Sequence, residues 1–132
     1  MGKRQKPNKG EQIVNKLDLN KVVIDFIKFF FESWTSDVNK IISSDMIKQH
    51  TKINIDSQIL NIQQFFQFLK TFEHSHFHLD KFQFVPDGAR RIDINIKVNI
   101  TKNSISKFFI INIALVEIKG QFYIKYIQAF FI

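Results

Sequence analysis

From Arg91 to Ile100 the chain reads Arg-Ile-Asp-Ile-Asn-Ile-Lys-Val-Asn-Ile. Every second residue is aliphatic, and the residues between are charged or carry amides. A period of two puts all the aliphatic side chains on one face of an extended strand. Neighbouring segments have a strand character too. Ser75 to Val85, Ala89 to Ile100, Ile105 to Ile118 and Gln121 to Ile132 are expected as four strands. Pro86-Asp87-Gly88, Thr101-Lys102-Asn103-Ser104 and Lys119-Gly120 separate them. Proline presets the first central position of a turn, and glycine takes positive φ without a steric cost. The expected arrangement is an antiparallel meander.

Pairing fixes faces, because a slip of one residue turns every side chain over. Pairing Ile118 with Gln121 sets Leu115 opposite Ile124, Ile113 opposite Tyr126, Ile111 opposite Gln128 and Phe109 opposite Phe130. Pairing Ile100 with Ile105 sets Ile96 opposite Phe109, Ile94 opposite Ile111 and Ile92 opposite Ile113. Both hairpins then collect one apolar set, with Phe122, on one face. Tyr126 and Gln128 are its polar exceptions. In the first strand Phe82 and Phe84 share one parity while Phe77 and Leu79 share the other. A β-bulge near Asp80-Lys81 reconciles them.

The first half has helical spacing. Val22, Val23, Phe26, Phe29, Phe30 and Trp34 recur at three and four, which predicts a helix from Asp18 to Ser33 with Asp18 as its cap. Ser36-Asp37 opens a short second helix through Val38, Ile41 and Ile42, and Asp45 starts one more turn through Met46, Ile47 and His50. An extended piece from Ile53 to Leu60, with a turn at Asp56-Ser57, leads to a third helix from Ile62 to Phe72. Helices followed by strands make the α+β class.

The chain has 132 residues, sixteen phenylalanines, no cysteine and a net charge of +7. That length fits one domain. We expect a disordered basic tail at 1–12 and a single α+β domain at 13–132. The absence of cysteine excludes thiolate metal sites and a cysteine nucleophile, and fits a reducing, cytoplasmic setting. Lys3, Arg4, Lys6 and Lys9 crowd the tail. The remaining charge is spread too thinly to favour nucleic acid. No apolar run reaches the length of a membrane span. There is no phosphate loop and no dinucleotide fingerprint, so no nucleotide cofactor is expected.

Phe29-Phe30-Phe31-Glu32-Ser33-Trp34, the stretch Ile42-Ser43-Ser44-Asp45-Met46-Ile47-Lys48-Gln49-His50, the third helix and the final meander together carry a resemblance. Residues 13–132 resemble the SnoaL-like branch of the nuclear transport factor 2-like superfamily. Asn61 stands where many relatives have glycine. The resemblance implies a cystatin-like cone, with three N-terminal helices on a curved antiparallel sheet and a pocket between. It also implies pairing of two copies through the convex face. The superfamily holds isomerases, cyclases, dehydratases, transport adaptors and non-enzymes, so fold alone does not give function.

On these grounds a pocket for a small apolar ligand is expected at Trp34, His50, Phe84, Tyr126 and Gln128. No residue is assigned a catalytic role in the main reading. The alternative is a lyase or isomerase with His50 as base and Tyr126 as hydrogen-bond donor. Asn112, Ala114, Tyr123, Lys125 and Ile127 are expected at a homodimer interface on the opposite face, which is too apolar for solvent. That face could equally serve an adaptor binding a different protein. His76 and His78 are weak metal candidates, since His74 belongs to the preceding helix end. No inward carboxylate appears, because the pairing turns Asp93 outward.

Overall fold

The computed structural model describes residues 5–88 and 90–132, with side chains from residue 19 onward. Helix α1 runs Gln5–Ser36 and α2 runs Asn39–Ile42. Strands β1 (Ile47–Ile55) and β2 (Gln58–Leu60) precede α3 (Ile62–Lys70). Strands β3 (His76–Pro86), β4 (Arg91–Lys102), β5 (Ile105–Ile118) and β6 (Gln121–Phe131) complete the chain. The helix expected from Asp18 therefore begins at Gln5. Pro7 lies in its first turn, where a missing N–H breaks no helical bond. Of the expected tail, 1–4 lie outside the described residues, as does the Asp18 side chain that was to cap the helix.

Six strands form one sheet in the order β2-β1-β6-β5-β4-β3. This is a larger sheet than the four-stranded meander expected. The added part is β1, which lies parallel to β6, and its hairpin partner β2. The helical turn expected from Asp45 to His50 is absent. Asp45 takes φ 60°, and the chain enters β1 two residues later. Thr51 anchors the irregular start of that strand. Its hydroxyl donates to the Ile124 carbonyl at 2.8 Å and accepts from the Lys48 N–H at 2.9 Å.

Turn chemistry follows the sequence closely. Asp56-Ser57, Asn103-Ser104 and Lys119-Gly120 each place two residues at positive φ. That is the two-residue hairpin geometry matching the twist of the flanking strands. The bulge expected near Asp80-Lys81 is present, with the register shifting between Leu79 and Lys81.

Two pairings differ from expectation, with opposite consequences. Ile105 pairs with Lys102 rather than Ile100. That is a slip of two, so the faces survive. Ile118 does pair with Gln121, and Leu115 with Ile124. Beyond that point a bulge at Lys125 shifts the register by one, and Ala114 pairs with Tyr126. Ile127, Ala129 and Phe131 therefore turn towards the helices, and Tyr126, Gln128 and Phe130 turn away. Ile127 is 2 % exposed, so its expected place in a dimer interface is corrected.

The core lies between the helices and the inner face of the sheet. Val23, Phe26, Ile27, Phe30, Phe31 and Trp34 of α1 meet Ile92, Ile94, Ile96, Phe109, Ile111 and Ile113. Trp34 is central. Its ring lies within 6.1 Å, centroid to centroid, of Phe30, Phe31, Phe68, Phe72 and Phe109. Its Nε1 donates to the Leu69 carbonyl at 3.0 Å. The same corner is tied by Val38 N–H to Glu73 Oε2 at 3.0 Å and Ser75 N–H to the Thr35 carbonyl at 3.2 Å.

Asn61 supplies a reason for departing from glycine. Its Oδ1 accepts from the Gln64 N–H at 2.8 Å, and Gln64 Oε1 accepts from the Asn61 N–H at 2.9 Å. This reciprocal pair caps α3. Asn61→Ala is expected to lower stability by about 1 kcal/mol, measured by urea unfolding against the parent protein.

Candidate functional site on the outer face of the sheet

The expected pocket residues do not converge in the cone. Trp34 is buried in the core. Phe84 is half-buried on the inner face of β3, packed against that core. His50 is exposed on β1, and the Lys125 bulge carries Tyr126 and Gln128 to the outer face. His50, Tyr126 and Gln128 nevertheless come together there. They line an open hollow of about 720 Å³ with Lys52, Asn54 and Ile59.

On the helix side, Trp34 and its phenylalanine neighbours occupy the centre of the cone. Two of the hollows that the described residues line open at its ends. One, of about 530 Å³, lies between α1 and the β5–β6 hairpin, lined by Val22, Asp25, Phe26, Phe29, Met46 and Phe122 among others. The other, of about 470 Å³, lies beside β2 and α3.

The outer face is built from alternate residues of five strands. Towards β3 it carries Arg91, Asp93 and Lys97. The Arg91 guanidinium contacts Asp93 Oδ1 at 3.0 Å, and Lys97 Nζ lies 3.6 Å from Asp80. The hydrogen bond to Asp93 holds Arg91 above its ordinary pKa against the opposing effect of burial. Its guanidinium also sits 5.8 Å from the Tyr126 ring centroid. In the middle lie Phe108, Ile110, Asn112, Ala114 and Val116 of β5. Ala114 is 0 % exposed, whereas Phe108 is 42 % exposed. Tyr126, Gln128 and Phe130 of β6 follow, then Lys52 and Asn54 of β1. Tyr123 lies near one end beneath Lys48 Nζ, 4.7 Å from its ring centroid. Lys125 projects from the bulge and is exposed.

Asn112, Ala114, Tyr123 and Lys125 thus stand at or beside this face, without Ile127. Asn54, which no expectation from the sequence includes, also faces outward, beside Gln128. Its strand was expected only as a short extended piece. The Asn54 Oδ1 atom is buried and has no hydrogen-bond partner.

His76 and His78 are exposed on β3. His74 takes φ 64° in the turn before the strand, so the three imidazoles do not share a continuous strand. Among the described residues, no group of three or more His, Asp or Glu side chains is placed to hold a metal ion. Among them, too, no helix is long and apolar enough to cross a membrane.

No protein-family model matches the sequence, and no curated protein matches it. Solved structures do match. A nuclear transport factor 2-like protein from Cytophaga hutchinsonii superposes with a TM-score of 0.71 at 9% identity, covering 86% of this chain and 98% of that one. Nuclear transport factor 2 from Cryptosporidium parvum gives 0.70 at 8% identity, covering 86% and 94%. A Nostoc punctiforme protein of unknown function with a cystatin-like fold gives 0.66 at 11% identity, covering 86% and 92%. The chain therefore has the nuclear transport factor 2-like, cystatin-like fold: a curved six-stranded sheet with one long N-terminal helix and two shorter ones.

Proposed function

We propose that this protein is a non-catalytic interaction domain that pairs with a second copy through the outer face of its sheet. One observation carries the reading. The centre of the inner face is filled by aromatic packing around Trp34, while the outer face combines exposed Phe108, half-buried Ile110 and Phe130, and an unpartnered buried amide oxygen on Asn54. A buried polar atom without a partner is costly in a finished surface, and an apolar patch of this kind marks a contact site. Within the fold, the aromatic stretch Phe26 to Trp34 supports the SnoaL-like branch. Light scattering at several concentrations is expected to show a dimer, and a monomer at every concentration contradicts the reading.

The lyase or isomerase alternative fares less well. A general base needs an enclosed site that tunes its pKa and excludes water. His50 is exposed, and the hollow it shares with Tyr126 is open. For a small apolar ligand the helix side offers the hollow between α1 and the β5–β6 hairpin, whose walls include Phe26, Phe29, Met46 and Phe122.

A further inference from the structure

At the end of the sheet where β4 turns into β5, the inner face runs out from under the helices. Ile100 pairs with Lys107, and Lys102 with Ile105. These side chains continue the core face past its last buried residues. Ile100 is buried, whereas Ile105 is 63 % exposed. On the next strand Phe131 pairs with Phe109 and is exposed. Ile132 follows it, 69 % exposed, with its N–H donating to the Phe108 carbonyl at 3.0 Å. A hollow of about 270 Å³ opens here, lined by Thr71, Phe72 and Asn103 with Lys102, Ile105 and Lys107.

The charge at this end is mainly positive. Lys102 Nζ donates to the Thr71 carbonyl at 3.0 Å. Lys107 Nζ lies 5.5 Å from the Phe131 ring centroid. Lys70 is exposed in the last turn of α3, next to Thr71. Among the described residues none of these three lysines is ion-paired, whereas Arg91 and Lys97 are each tied to an aspartate. Glu73 accepts from the Val38 N–H. Asp56, in the β1–β2 turn, shares a hollow with Phe131 and offsets one charge on the flank.

We propose that this end of the sheet docks on an anionic lipid surface. Lys102 and Lys107 meet the lipid phosphates, and Ile105 and Phe131 enter the acyl boundary beneath them. Interfacial binding needs both parts together, apolar side chains for the boundary and lysines at headgroup level. The long lysine stem lets the charge stay with the headgroups while an adjacent apolar side chain goes deeper. A nucleic acid would use the lysines but leave Ile105 and Ile132 in water. The proposal is independent of pairing through the outer face, since Lys102, Ile105 and Lys107 belong to the inner one.

The test mixes the full chain with phosphatidylcholine vesicles, with and without phosphatidylserine, and sediments the bound protein. Binding to the anionic vesicles is expected, and should fall at least about tenfold without phosphatidylserine. Joint replacement by Lys102→Gln and Lys107→Gln should weaken it at least about tenfold, and Ile105→Ser at least about threefold. Position is read by fluorescence. Ile105→Trp sets an indole at the contact, and Ile118→Trp sets one at the other, exposed end of β5. Brominated lipid should quench the first, while the second and buried Trp34 stay bright. Thermal melts confirm that each variant folds. If Ile105→Trp does not, the lysine pair decides. No binding to anionic vesicles overturns the proposal and leaves the patch to a protein. Binding that survives the lysine replacements unchanged overturns it too. So does binding without quenching at Ile105→Trp, which places the contact elsewhere, as at the basic residues 3–9.

Discussion

Trp34→Ala is expected to destabilise the domain by about 3–5 kcal/mol, the largest effect of any single substitution considered. The indole is 2 % exposed and meets five phenylalanine rings drawn from α1, α3, β5 and the segment after α3. Its removal leaves a cavity that those rings cannot close without leaving their rotamers. It also removes the only contact in that cluster with a directed bond, from Nε1 to the Leu69 carbonyl. A domain of this size is stable by roughly 5–15 kcal/mol, so the variant should be close to unfolding. Trp34→Phe separates the two contributions. Leu69 O keeps the Phe72 N–H at 3.0 Å, so no acceptor is stranded, and the cost should fall to about half. Urea unfolding measures both. A loss below about 1 kcal/mol for Trp34→Ala would mean that the cone is not packed as described.

The second large effect falls on association instead of folding. Ile110→Arg is expected to weaken the proposed dimer at least about 100-fold, or about 2.7 kcal/mol, while leaving the monomer within about 0.5 kcal/mol of the parent. Ile110 is half-buried on the outer face, opposite Phe130. In the free chain its replacement guanidinium reaches water. In a two-fold pair it must desolvate in an apolar contact, near the same charge from the other copy. Sedimentation velocity reads the association, and a urea titration at monomeric concentration reads the fold. A variant that still dimerises at the parent's concentration range places the interface elsewhere.

Much of this architecture is legible in the residues. Alternation from Arg91 to Ile100 assigns β4 and its faces, and turn residues at positive φ locate the hairpins. The Asp80 bulge follows from two pairs of aromatic and aliphatic residues out of phase. The misplaced part is equally instructive. From Tyr126 to Phe131 the chain reads Tyr-Ile-Gln-Ala-Phe-Phe, and either parity makes an acceptable apolar face. Pattern alone could not show the Lys125 bulge. Only packing against Phe109 and Phe68 decides it, by drawing Phe131 inward. Strand β1 was hidden for a different reason. It pairs with a strand some seventy positions later in the chain, and its first half, Lys48-Gln49-His50-Thr51-Lys52, has no apolar alternation.

The candidate site suffered from both errors. Without the Lys125 bulge, strand alternation puts Tyr126 and Gln128 inside the cone; with it they stand outside. Asn54 was overlooked because β1 was. Asn95, Asn112, Gln128 and Asn54 are cross-strand partners in one line across the outer face. The polar groups expected to meet a ligand in the cone stand instead on the outer face of the sheet.

The central claim is that a second copy sits on the outer face. Its most direct test is an isotope-filtered NOE experiment on a mixture of labelled and unlabelled protein. Intermolecular cross-peaks are predicted from the methyl groups of Ile110 to protons of Phe108, Gln128 and Phe130 of the other copy. Absence of any intermolecular cross-peak, or cross-peaks arising from surfaces other than this face, would contradict it.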